Sequence, residues 1–208
     1  MIKNIIFDLD GTLYNSEVIL KKFAEAAYHT LAKFQNISLE KARGLVEQKR
    51  VELKKERGYS VPYTLTLISY GVPIEFWHQE NIKFFDPRNY LDKNENLVKS
   101  ITELKKRYRL AVLTNNNSTQ AERIIEAIGL KGLFDKVFTY NSFKLLKPDP
   151  NFLKKAAAEM NAKPEECLTV GDRYNIDLTP ARDLGMQAYE VKGPEDIEKL
   201  TDNLSLKG

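Results

Sequence analysis

Asp8 and Asp10 stand two residues apart in "FDLDGTLY", Thr114 and Asn115 in "VLTNNNS", Lys147 in "KLLKPDP", and Asp172 and Asp177 in "VGDRYNID". This set holds acids, a lysine and a hydroxyl, with no His or Cys among its donors. Carboxylates brought within a few ångströms of one another raise each other's pKa unless a cation neutralises them. All-oxygen donors select a hard ion, and Mg2+ characteristically takes a few carboxylates together with water and phosphate oxygens. The hydroxyl, the lysine and free backbone N–H groups at a helix start suit the remaining oxygens of a phosphate. In such a set one carboxylate can attack phosphorus as a nucleophile. A second, two residues on, can protonate the leaving oxygen and later take a proton from water.

That chemistry requires the chain to bring these residues to one place. "IKNIIFD" (2–8) is apolar on both sides of the pleat, the mark of a strand covered on both faces. "RLAVLTN" (109–115), "KVFTY" (136–140), "CLTVGD" (167–172) and "MQAYEV" (186–191) share that character. Helical patterns lie between them. Leu97, Val98, Ile101, Leu104 and Tyr108 fall on one face, then Ile124, Ile125 and Ile128 on another. A helix over 150–161 has Pro150 near its first turn, and a last one lies near 194–203. The alternation predicts an α/β fold with a Rossmann-like parallel-sheet core and helices on both faces. Each candidate residue then falls at the carboxyl end of a strand or in the loop beyond it, the edge at which open parallel sheets bind ligands.

Between the first strand and the rest lies a stretch without a strand pattern. Leu20, Phe23, Ala24, Ala27, Leu31 and Phe34 form an amphipathic stripe, and a second helix spans about 38–57, opening at Ser38 and stopping at Gly58. Aromatic residues crowd the remainder: Tyr59, Tyr63, Tyr70, Phe76, Trp77, Phe84 and Phe85. The expected organisation is a core of 1–14 and 96–208, with an all-helical domain, 15–95, inserted after strand one as a cap over the ligand edge.

"DLDGTLY", "LTN", "KPDP" and "VGDRYNID", in this order, resemble the four motifs of haloacid dehalogenase (HAD) superfamily phosphatases, and the helical insert looks like that superfamily's C1 cap. The resemblance covers most of the chain, and the motifs are specific in combination. It implies Asp8 as nucleophile and Mg2+ ligand, and Asp10 as general acid/base that meets the metal only through its backbone carbonyl. Thr114 and the Asn115 N–H would hold the phosphoryl oxygens, and Lys147 would steady Asp8 and the phosphoryl charge. Asp172 would ligate Mg2+ directly, with Asp177 acting through water or from behind the ligands. Tyr14, just past the first motif, is expected to face the cap junction and touch substrate.

Several of these residues also have a plainer reading. "DxDGT" favours a turn after a strand, Thr114 and Asn115 can cap a helix, and Asp177 can cap the helix that follows it. Lys147 is preferred over Lys144 because it stands directly before Pro148. His29 and His78 lack a second ligand at metal spacing and read as packing or solvated residues, and Cys167 reads as a small core residue.

The activity implied is phosphomonoester hydrolysis through an aspartyl phosphate. True dehalogenases replace the second Asp of the first motif, and Asp10 is intact. The insert's length, with "TLYNSE" and "FFDPRNYLDKNENL", looks like the pyrimidine 5′-nucleotidase-like branch, so a nucleoside 5′-monophosphate is the first substrate expected. Phosphoglycolate or a sugar phosphate is the alternative, and a β-phosphoglucomutase-like transfer also keeps both acids. The alternative from another class is a non-catalytic or receiver-type phosphate-responsive binding protein. Receivers place their lysine last, however, whereas Lys147 precedes the second acidic cluster.

Composition narrows the partners. The 208 residues carry a net charge of +3, and the 32 basic residues mix with acids, as in "KRVELKKERG", leaving no stripe for nucleic acid. The single cysteine excludes an internal disulfide and fits a reducing compartment. No apolar run is long enough to span a membrane. The expectation is a cytoplasmic monomer or homodimer acting on a small phosphorylated metabolite.

Overall fold

A computed structural model describes residues 1–205. The chain opens with β1 (Asn4–Phe7) and then passes through four helices: α1 (Glu17–Gln35), α2 (Leu39–Arg57), α3 (Tyr63–Ile68) and α4 (Ile74–Phe84). After α5 (Glu95–Lys105) come β2 (Arg109–Leu113), α6 (Ser118–Ala127), β3 (Lys136–Phe138), α7 (Tyr140–Phe143) and α8 (Pro150–Glu159). The chain continues through β4 (Cys167–Gly171), α9 (Thr179–Asp183), β5 (Gln187–Glu190) and α10 (Glu195–Ser205). Two compact units result, one made of Met1–Ser16 with the chain from Leu91 onward, the other of Glu17–Tyr90.

The larger unit carries a five-stranded parallel sheet in the order β3-β2-β1-β4-β5, the Rossmann-like arrangement expected from the apolar runs. Phe7 of β1 pairs with Val112 of β2 on one side and Val170 of β4 on the other. Every residue of β1 and β4 is buried, while the edge strands β3 and β5 are largely open. Uninterrupted apolar sequence thus belongs to the strands covered on both faces. One face packs Ile6, Ala111 and Leu113 against Phe152, Leu153 and Ala156 of α8. Fully burying a side chain such as Phe152 contributes about 1.5–3 kcal/mol.

The smaller unit has its own core. Ala26, Ala27 and Leu31 of α1 meet Ala42 and Val46 of α2, Leu67 of α3 and Trp77 of α4. The Trp77 Nε1–H donates to Thr64 Oγ1 at 3.0 Å, satisfying the indole where it is buried. The bounds of α2 follow from its end residues: Ser38 Oγ accepts from Lys41 N, and Gly58 closes the helix at φ +77°. The buried stripe of α1 departs from the sequence expectation. Its buried residues are Ile19, Ala26, Ala27, Thr30 and Leu31, while Leu20 and Phe34 are 55% and 41% exposed. Ala26, Ala27 and Leu31 face the neighbouring helices, and Leu20 and Phe34 lie outside that stripe. Of the aromatics, Trp77 and Phe85 are buried, whereas Tyr63, Tyr70, Phe76 and Phe84 pack half-buried around the core. No helix among the described residues is long and apolar enough to cross a membrane.

Candidate active site

Asp8 is the first residue past β1, and its N–H still donates to Val170 O at 2.8 Å, so the sheet itself fixes where its side chain starts. Its Oδ1 accepts from Lys147 Nζ at 2.5 Å, and the same ammonium donates to Asp177 Oδ1 at 2.6 Å. All three residues are 3% exposed or less. Lys147 reaches this position because the Asn115 side chain brackets its backbone: Oδ1 accepts from Lys147 N at 2.7 Å, and Nδ2 donates to Lys147 O at 3.0 Å. Lys144 lies elsewhere, in a left-handed conformation over the Tyr140 ring.

β4 ends at Gly171 and delivers Asp172, after which Tyr174–Leu178 form a π-helical turn. The wide turn brings Asp177 back under the strand end. A Cβ on Gly171 would lie 2.5 Å from Asp177 Cβ, so a side chain there would displace the acid. Asp177 Oδ2 accepts from Arg173 N at 3.1 Å, and no side chain caps α9, so Asp177 does not serve as that helix's cap. Gly11 makes the matching allowance on the other side: at φ +84°, its added Cβ would fall 2.5 Å from Asp172 Oδ2.

Oxygen atoms of Asp8, Asp172 and Asp177 all lie within 4.8 Å of one another. Asp8 Oδ2 and Asp172 Oδ1 are buried with no hydrogen-bond partner among the described residues. Orphaned, convergent carboxylate oxygens are costly unless something positive joins them. Sequence reasoning missed Arg173, whose signal was a lone cation between the two acids of "GDRYNID". Its guanidinium stands 3.7 Å from Asp8 Oδ2, 3.7 Å from Asp172 Oδ1 and 3.8 Å from Asp177 Oδ2, close enough to attract yet beyond hydrogen bonding. Asp8, Asp10, Asp172 and Asp177 against Lys147 and Arg173 leave two uncompensated negative charges when all are ionised. That deficit and the all-oxygen donor set fit one hard divalent ion such as Mg2+.

Asp10 is held differently. Tyr14 Oη donates to its Oδ1, Asn116 Nδ2 donates to its Oδ2 at 2.8 Å, and Thr114 Oγ1 lies 3.5 Å from the same oxygen. Tyr14 is 6% exposed with its hydroxyl on the acid, and the turn after β1 folds back so that Gly11 N donates to Tyr14 O. Thr114 is fully buried and also accepts from Asn116 N at 3.2 Å. Asn116, unnoticed in the sequence, was visible only as the middle of an Asn run. The Asn115 N–H makes no hydrogen bond among the described residues.

Electrostatics follow from this crowding. Burial, with Asp177's charge adding to it, pushes the Asp8 carboxyl up to about 7, against the pull of Lys147 and Arg173. Burial also raises Asp10, with the Tyr14 hydrogen bond drawing it back, and raises Asp172. For Lys147 burial works against the charge, yet Asp177 and Asp8 carry its pKa above the ordinary lysine value. Burial and the adjacent Asp10 hold the Tyr14 phenol well above its usual range, so it stays a donor.

The family model for haloacid dehalogenase-like hydrolases matches residues 2–185. The chain is 29% identical to a glyceraldehyde 3-phosphate phosphatase of Methanocaldococcus jannaschii, over 92% of this chain and 85% of that protein. It is equally identical, 29%, to a pyrophosphatase PpaX of Bacillus mycoides, over 91% of this chain and 83% of the relative. Among solved structures, a HAD phosphatase from Thermococcus onnurineus shares the fold at a TM-score of 0.63 and 21% identity, covering 96% of this chain and 97% of that one.

Proposed function

This chain belongs to the haloacid dehalogenase-like hydrolases, and on that premise we propose that it is a Mg2+-dependent phosphomonoester hydrolase, acting on a small phosphorylated metabolite through a phosphorylated Asp8. The observation that carries the reading is the pair of orphaned oxygens, Asp8 Oδ2 and Asp172 Oδ1, beside a separately held Asp10. Asp8 and Asp172 would hold the metal directly, the Asp10 carbonyl would join them, and Asp177 would act from behind, where Lys147 and the Arg173 N–H engage it. When bound, the ion would offset charge on the phosphoryl oxygens.

The chain's own residues divide the work. An Asp8 oxygen attacks phosphorus, the bond from phosphorus to the leaving oxygen breaks, and the Asp10 proton passes to that oxygen. Water then attacks the phosphorylated Asp8, its proton goes to Asp10, and inorganic phosphate leaves with Asp8 restored. Lys147 keeps Asp8 in place and offsets its charge, and the Asn115 side chain keeps Lys147 in place. Thr114 and the Asn115 N–H are the proposed phosphoryl contacts. The helical unit Glu17–Tyr90 is proposed as the substrate-selecting cap, and the free, buried Cys167 accords with a reducing, cytoplasmic setting.

The names of the two relatives favour a compact substrate over the nucleoside monophosphate first expected: a triose phosphate ester or, as a phosphoanhydride cleaved by the same steps, pyrophosphate. The test is phosphate release from glyceraldehyde 3-phosphate, phosphoglycolate, pyrophosphate, a hexose phosphate and UMP, with Mg2+ and with chelator. The reading requires metal-dependent release that disappears in Asp8→Asn. Release unaffected by chelator, or retained in Asp8→Asn, overturns it. A mutase would return the phosphoryl group to sugar without releasing phosphate, and UMP outrunning the smaller esters would restore the nucleotidase assignment.

A further inference from the structure

Oxygens of three of the site's carboxylates lie within 4.8 Å of one another, and the fourth carboxylate is tied down by neutral donors. Tyr14 Oη donates to Asp10 Oδ1, and Asn116 Nδ2 donates to Asp10 Oδ2 at 2.8 Å. The two donors come from different segments, the turn after β1 and the loop after β2, and each is itself fixed. Tyr14 is 6% exposed, and its backbone bridges Asp10 through the bond from Gly11 N to Tyr14 O, 2.9 Å long. Asn116 N donates to Thr114 Oγ1, and Asn116 O accepts from Tyr140 N at 3.2 Å. A carboxyl with a rigid donor on each oxygen cannot turn about its Cβ–Cγ bond without losing both hydrogen bonds.

We propose that Tyr14 and Asn116 are positioning residues, which hold the Asp10 carboxyl at the one orientation from which it protonates the leaving oxygen and so govern which phosphate esters are hydrolysed. The inference rests on the hydrolase reading above and adds to it a dependence on the leaving group. Proton transfer in a transition state demands alignment, and loss of alignment costs rate even where the acid itself remains. An alkyl alcohol is a poor leaving group and needs the proton as its bond to phosphorus breaks. p-Nitrophenolate leaves without it. Misorienting Asp10 therefore penalises alkyl phosphates selectively, a pattern that general damage to the fold does not produce.

The experiment compares wild type, Tyr14→Phe, Asn116→Ala and the reference Asp10→Asn by kcat/KM on p-nitrophenyl phosphate, phenyl phosphate and glyceraldehyde 3-phosphate. kcat/KM reports the step in which the leaving group departs, whichever later step limits kcat. Expected is a loss of about tenfold or more on the alkyl ester for each positioning variant, with less than about threefold on p-nitrophenyl phosphate. Asp10→Asn should show the same ordering, more steeply. Equal losses on all three esters, or no loss on any, overturn the proposal. Tyr14→Phe removes a single oxygen, and Asn116 is in a partly exposed loop, so if one variant fails to fold the other carries the comparison. Selective loss in Asp10→Asn with uniform loss in both positioning variants removes this inference alone. Wild type inactive on every ester removes the hydrolase reading itself.

Discussion

Lys147 Nζ lies 2.5 Å from Asp8 Oδ1 although 139 positions of sequence separate the two residues. The pair is enclosed, with side chains 3% and 2% exposed, and the same ammonium serves Asp177. Breaking a buried pair by removing one partner typically costs about 3–5 kcal/mol, because the other charge stays behind. Lys147→Met should therefore lower the urea midpoint of the metal-free protein. The drop should be larger at pH 8 than at pH 5, since Asp8 takes up a proton at the lower pH. A pH-independent change would mean that the lysine matters through packing alone.

Gly11 and Gly58 give a matched pair. Both have positive φ, +84° and +77°, but a Cβ on Gly11 meets Asp172 at 2.5 Å whereas one on Gly58 meets nothing within 4 Å. Gly58→Ala should cost about 1 kcal/mol of stability through backbone strain and leave phosphate release intact. Gly11→Ala should carry that strain and also abolish most Mg2+ binding, read by calorimetric titration, because Asp172 must move.

The raised carboxyls set a pH dependence whose sign is opposite to that of an ordinary salt bridge. Asp8 stands near 7 in the folded protein against 3.8 unfolded, and Asp10 and Asp172 are raised as well. Across that window the folded state binds more protons than the unfolded one, so stability of the metal-free protein falls as pH rises from about 4 to 7. On the proposed reading Mg2+ would take these acids deprotonated, so the stabilisation it gives should grow over the same range. Melting temperatures at pH 5 and pH 8, with chelator and with Mg2+, check both trends. A metal-free protein more stable at pH 8 contradicts them.

The Arg173 guanidinium faces all three acids of the cluster, at 3.7, 3.7 and 3.8 Å. It offsets their repulsion in the metal-free protein and repels an incoming cation. Arg173→Gln should lower the metal-free melting temperature while tightening Mg2+ binding several-fold, the effect of removing about 1 kcal/mol of like-charge interaction. Weaker Mg2+ binding in this variant would mean that the guanidinium orders the ligands more than it competes for them.

The strands were legible because burial on both faces forces continuous apolar sequence: "NIIF" and "CLTVG" admit little else. α2 was legible at both ends because Ser38 and Gly58 each act within a few residues of themselves. The buried stripe of α1 was not, since apolar periodicity alone gives Leu20 and Phe34 the same weight as Ala26 and Ala27, and only close helix contact ranks small residues first. In the site, Asp8, Lys147 and Asp177 were picked out by type and motif, and the Lys147–Asp8 contact with them, but the residues that hold Asp10 were not. Asn116 and Tyr14, 102 positions apart in sequence, meet at Asp10, and the π-helical turn that aims Asp177 has no sequence signal comparable to a cap.

β1 precedes the other four strands in the sequence yet sits between β2 and β4, so Asp8 meets Lys147 and Asp177 only once the chain through Asp177 has been made. A polypeptide ended before Asp172 would hold Asp8 and Asp10 without the two acids and the guanidinium that surround Asp8 in the finished sheet.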